Sequence, residues 1–276
     1  MSNELVPAYS QQFRPDTIQE ILSSGPIADI TPEWAWGGST GRGVRVAVVD
    51  SGIEYDHPAV GDQVRGGVVI EFDEQAEDYL RLEPDDHPED MSGHGTACAG
   101  IIHTLAPEAE LYSVRVLGRD MRGRAVQFAG GIDWALANGM QVVNLSLSTS
   151  HQQYYGLFHE ISDDAYFKNM ILVSAVNNLP APSYPSLYAA VISVAAHFGH
   201  DPWTYYYNPA PPVEFGAPGI DVRVAWKDHQ YITCTGNSFA APHIAGLVAL
   251  IRAKHPDLTP FQVKTVLWAC AANVRR

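Results

Sequence analysis

The chain has 276 residues, 46% of them apolar and 17% charged, which is enough apolar material to bury the core of one large α/β domain or two small ones. With 31 Asp and Glu against 17 Lys and Arg, its net charge of −14 repels phosphate backbones and anionic bilayers, arguing against nucleic-acid and membrane partners. The opening MSNELVPAYSQQFRPDT has no basic stretch followed by an apolar one, no run of 18 apolar residues occurs, and the three separated cysteines form no CxxC. The expectation is a cytoplasmic chain, or a secreted one trimmed of its export signal, without a disulfide framework or zinc site.

In chain order, residues 1–24 read as a polar extension and residues 25–276 as one domain. Val44–Val49 (VRVAVV) is the first strand-length apolar run. Glu71–Asp90 holds ten acidic residues and one Arg, with Pro84 and Pro88, and is expected to be an exposed loop. Next come a small-residue helix from His94, a strand at Leu111–Val116, a helix at Ala125–Asn138 and a strand at Val142–Leu147. A helix at Gln152–Lys168 and strands at Ile171–Val176 and Val191–Ala195 follow. Ser238–Lys254 is apolar nearly all round as far as Ile251, as a helix buried in the middle of a domain must be. Thr259 as N-cap and Pro260 in the first turn start a last helix ending near Cys270. Apolar strands alternating with helices predict a three-layer α/β/α sandwich with a mainly parallel central sheet.

Three segments put reactive side chains in unusual frames. Asp50 in VAVVDSGI directly follows a strand, where catalytic groups of open α/β sheets collect. His94 in SGHGTACAGII is flanked by glycines that admit close backbone approach. Ser238 in TGNSFAAPHIAG sits at the mouth of the buried helix, whose free N–H groups favour a developing anion. Singly these read as a turn former, a structural histidine and an N-cap; together they supply acid, base and nucleophile in one of the known chain orders of the serine triad. With LYSVRVLG, GGIDWALANGMQVVNLSLS, FGAPG and KHPDLTPFQVK between and after them, these boxes make residues 25–271 closely similar to the subtilisin-like serine proteases.

That resemblance implies a serine endopeptidase in which Asp50 orients His94, His94 takes the proton of Ser238, and Ser238 attacks the scissile carbonyl. It places Asn178 of SAVNN on the oxyanion-hole Asn and Asn177 on the preceding Gly, a one-residue slip exchanging them. Extended substrate would add as a strand between Met121, Arg122 and Gly123 on one side and Ser146, Leu147 and Ser148 on the other. Asn237 stands where the family has Thr, with an amide able to support the oxyanion; Asn177 and Ser148 replace glycines, which predicts a P1 pocket for small or polar residues. No cofactor and no metal are expected, because HGTACAGIIHTLAPEAELYSVRV leaves no room for the family's calcium loop. Cys98, one turn beyond His94, reads as a small buried hydrophobe, although one branch of the family keeps a free thiol near the catalytic His; Cys234 is expected toward the leaving-group side. The acidic stretch reads as a solvated insertion, the alternative being that it recruits basic residues of a peptide or protein substrate or precursor. The expected role is selective maturation of a precursor peptide, the alternatives being a transpeptidase or macrocyclase on the same acyl-enzyme, or a catalytically silent peptide-binding domain.

Overall fold

The computed structural model describes residues 7–18, 21–22, 29–76 and 78–275. Of the expected N-terminal extension, residues 1–6, 19–20 and 23–24 lie outside these, as does Glu77 of the acidic stretch. The strands are β1 (Ile21–Leu22), β2 (Arg45–Asp50), β3 (Val64–Phe72), β4 (Leu80–Asp85), β5 (Glu110–Arg115), β6 (Val142–Leu145) and β7 (Ile171–Ala175). They continue with β8 (Ile192–His197), β9 (Tyr206–Tyr207), β10 (Phe215–Pro218), β11 (Val222–Trp226), β12 (Gln230–Cys234) and β13 (Val274–Arg275). The helices are α1 (Pro32–Trp36), α2 (His94–Leu105), α3 (Ala125–Ala137), α4 (Tyr155–Phe167), α5 (Asn237–Lys254) and α6 (Pro260–Cys270).

Among the described residues, nine strands form one sheet in the order β4-β3-β5-β2-β6-β7-β8-β10-β9. All its pairings are parallel except those of the two edge strands, β4 and β9. Alternate residues of β2 explain the layering: Val46 and Val48 pack with α2, α5 and α6, whereas Ala47 and Val49 pack with α3 and α4. With both faces covered, the inner strands need apolar residues at every position, and this is why they read as continuous runs. The fold is thus an α/β/α sandwich, with α5 buried along its whole apolar length. At α6 Thr259 caps the helix by accepting from Gln262 N.

The acidic stretch is corrected by the structure. Instead of forming one loop throughout, its residues 71–72 and 80–85 belong to the antiparallel hairpin β3–β4 at the sheet edge, with Val68 opposite Pro84 and Phe72 opposite Leu80. An edge strand tolerates Pro84 because one row of its backbone groups needs no partner. Leu80 packs on α3, where a methyl at Gly130 would meet its Cδ1. Arg81 pairs with Glu71 and Glu83 on the exposed side. Strand burial is confined here to a few positions, and the density of carboxylates hides them in the sequence. On the opposite flank the described N-terminal segment is packed on the domain, with Phe13 buried among Val176, Ala195 and Val213.

Candidate active site

Asp50 ends β2, between β5 on one side and β6 on the other, and the chain leaves this point toward both halves of the sheet. Its side chain is fully buried; Oδ1 accepts from Ser51 N at 2.8 Å, and both oxygens face His94 Nδ1, at 2.8 and 2.9 Å. This approach requires Gly95, because a Cβ there would lie 2.0 Å from Gly52 O and 3.2 Å from Asp50 Cβ. Gly93, at φ 104°, likewise admits the Trp226 ring. Burial disfavours the charged imidazole, but the charge and hydrogen bond of Asp50, with the charge of Asp90 behind them, outweigh it and raise the His94 pKa above its ordinary value.

Asp90 is a residue that the motif reading passed over. Its carboxylate accepts from Ser51 Oγ, Ser92 N, Gly93 N, Thr96 N and Thr96 Oγ1, all within 3.0 Å. It thereby satisfies free N–H groups at the start of α2 and ties the His94 turn to the end of β2. Its signal in the sequence was an Asp four residues before the His, inside a stretch where acids looked interchangeable.

Ser238 lies in the first turn of α5. Pro242, four residues on, has no N–H to donate to Ser238 O. That carbonyl instead accepts from Ser146 Oγ at 2.7 Å and Cys98 Sγ at 3.7 Å, while Asn144 Nδ2 donates to Ser146 Oγ at 2.9 Å. The Ser146 side chain, expected beside substrate, is therefore turned into the protein and holds the nucleophile's own backbone. Cys98 is fully buried, 3.9 Å from Asp50 Oδ2, and burial pushes its thiol well above the ordinary pKa. Cys234 packs with Val222, Val224 and Phe239 and is not among the residues lining the cleft.

Asn237 corrects a second expectation. Its fully buried amide points away from the cleft: Oδ1 accepts from Ala196 N at 2.9 Å, and Nδ2 faces Ala8 O, Val176 O and Asn177 O at 3.1–3.3 Å. Its backbone N–H donates to Asn178 Oδ1 at 2.9 Å, and Ala8 N donates to Asn178 O at 2.8 Å. Asn178 is thus fixed from both sides with its Nδ2 unengaged by these bonds. Asn177 is occupied locally, its Oδ1 accepting from Leu179 N and its N–H donating to Ser183 Oγ.

A cleft of about 800 Å³ gathers His94, Ser238 and Asn178 with Met121, Arg122, Gly123, Ser146, Leu147 and Ser148. Asn177 lines only an adjoining cavity of about 160 Å³, with Ser146, Leu147, Ser148, Asn178 and Ser238. Of the described acidic stretch only Phe72 reaches the large cleft. Among the described residues, Glu54, Asp56 and His229 form the other close group of ligand-type atoms besides Asp50, His94 and Cys98, but Glu54 is engaged by Asp228 N and His229 N. Among the described residues no helix is long and apolar enough to cross a membrane.

The Subtilase family (Peptidase S8) matches residues 41–275. A thermostable alkaline protease of Halalkalibacterium halodurans is 34% identical over 82% of this chain, which spans 62% of that protein's length. Subtilisin BL of Lederbergia lenta is 34% identical over 86% of both chains. The crystal structure of a cold adapted subtilisin-like serine proteinase superposes with a TM-score of 0.66 over 84% of this chain and 83% of its own, at 24% identity, a likeness of fold.

Proposed function

The chain belongs to the subtilase family of serine endopeptidases, and from that premise we propose that it cleaves peptide bonds with Asp50, His94 and Ser238 as its triad, in a peptidase domain of residues 25–276. The observation that carries this reading is the buried Asp50 carboxylate gripping His94 Nδ1 in a cleft that also holds Ser238 and Asn178. With its Nδ1–H donated to Asp50, the imidazole presents the Nε2 lone pair as general base. Both hydrogen bonds of the His94 ring run from Nδ1 to Asp50, which leaves Nε2 to accept the proton of Ser238, the other reactive group lining the cleft. Ser238 Oγ loses its proton to His94 and adds to the scissile carbonyl. The protonated ring then gives that proton to the leaving amine, and water resolves the acyl-enzyme by the same relay. Asn178 Nδ2 and the Ser238 N–H stabilise the oxyanion.

The small cavity walled by Asn177, Asn178, Ser146 and Ser148 suits a small or polar P1 residue. Such narrow selection fits a cytoplasmic enzyme that matures a precursor peptide. Resolution of the acyl-enzyme by an amine, giving a macrocycle, would need water excluded from the cleft; among the described residues the acidic hairpin contributes only Phe72 there, which favours hydrolysis. A fluorophosphonate probe decides between enzyme and silent binding domain: wild type is labelled and cuts a peptide library, and Ser238→Ala does neither. An unlabelled wild type that binds peptides would establish the silent alternative.

A further inference from the structure

We infer that the cleft selects substrates bearing an acidic side chain upstream of the scissile bond, gripped by Arg124; this rests on the reading of the cleft as a peptide-binding site. In a chain of net charge −14, the twenty residues lining the large cleft include no Asp or Glu, but two arginines, Arg122 and Arg124, and two histidines, His94 and His151. The charge balance of the molecule is inverted at the one place where substrate must lie. Of the acidic residues on either side of Phe72, Glu71 is paired with Arg81 and Asp73 Oδ1 accepts from Gln75 N, and neither lines the cleft.

The two arginines differ. Arg122 has Asp120 Oδ2 at 3.9 Å and is otherwise exposed. Arg124 has no carboxylate partner among the described residues, and its guanidinium lies 3.6 Å from the centroid of the Phe72 ring, which is itself stacked on Tyr79. Stacking fixes the plane of the guanidinium and leaves its N–H donors around the rim, the arrangement that binds a carboxylate with two parallel hydrogen bonds. Helix α3 begins at the next residue, so its positive end adds to the same field.

The position along the substrate follows from the lining. Arg124 takes no part in the small cavity that suits P1. It directly follows the Met121–Gly123 wall of the large cleft, against which the substrate segment leading up to the scissile bond would pair as a strand on the proposed binding mode. The acidic residue therefore sits two or more positions upstream of the cleaved bond.

A positional-scanning peptide library tests this in two readouts, cleavage by the wild type and retention on Ser238→Ala protein. The expected result is enrichment of Asp and Glu over Gln and Lys at one upstream position, on the order of tenfold for a partly exposed charge pair, lost or reversed toward Lys in Arg124→Glu. Arg124 is exposed, so the variant is expected to fold; its melting temperature checks this. Absence of acidic enrichment, or enrichment unchanged in Arg124→Glu, overturns the inference. A wild type that cuts nothing would refute the endopeptidase reading instead, and the retention ratio on Ser238→Ala would still decide the selection.

Discussion

Asn237→Ala is the sharpest perturbation of the architecture behind the cleft. The wild-type amide is fully buried and bonded to four backbone groups of three segments: Ala196 N on β8, Val176 O and Asn177 O after β7, and Ala8 O of the N-terminal segment. Alanine leaves the Ala196 N–H without its acceptor and removes the two amide N–H donors that the three carbonyls share. An orphaned buried group costs roughly 1–3 kcal/mol, and the carbonyls keep a second lone pair, so the total is about 3 kcal/mol. At roughly 2–3 °C per kcal/mol for a domain of this size, the melting temperature falls by about 6–9 °C. Asn237→Asp separates the two halves of the interaction: it keeps an acceptor for Ala196 N but turns a carboxylate on three carbonyls, and is expected to be at least as damaging. Because Asn177 O and Ala8 restrain Asn178, kcat falls in both variants while KM stays nearly constant. Calorimetry with steady-state kinetics on one peptide measures both. An Asn237→Ala protein melting within about 1 °C of wild type would refute the role of the amide, and loss of KM rather than kcat would refute its link to the oxyanion.

Asn178→Ala should lower kcat by roughly 10²–10³-fold, the size established for an oxyanion donor in subtilisin itself, whereas Asn177→Ala should chiefly change P1 preference; equal kcat losses would reverse the assignment. His94 must be neutral to act as base, so activity rises with pH through its raised pKa. Asp90→Asn removes one of the charges raising it, and the acid limb of kcat/KM should move to lower pH; an unmoved limb would exclude that coupling. The raised value also means that His94 contributes stability that is fully present below its unfolded pKa and lost as pH rises through the folded one. Ser146→Ala leaves Ser238 O with only the Cys98 thiol and should cost roughly 1–3 kcal/mol in denaturant midpoint together with a lower kcat. A mercurial should react slowly with buried Cys98 and, once bound, inhibit; protection by Cys98→Ala checks that this thiol is the target.

Features that depend on neighbours in the chain were legible without a structure. Continuous apolar runs announced strands covered on two faces, Thr259 and Pro260 announced a helix start, and the frames around Asp50, His94 and Ser238 singled them out for the triad proposed here, because local backbone conformation and burial period are written in contiguous residues. The hairpin β3–β4 was not legible, since an edge strand with one small apolar contact surface leaves little period to read among ten carboxylates. Nor were the directions of polar side chains. That Asn237 turns from the cleft, that Asp90 gathers five donors, and that Ser146, 92 residues before Ser238, supplies the bond Pro242 cannot, are decisions of packing: every buried polar group must find a partner, and only the assembled sheet and helices determine which one is within reach.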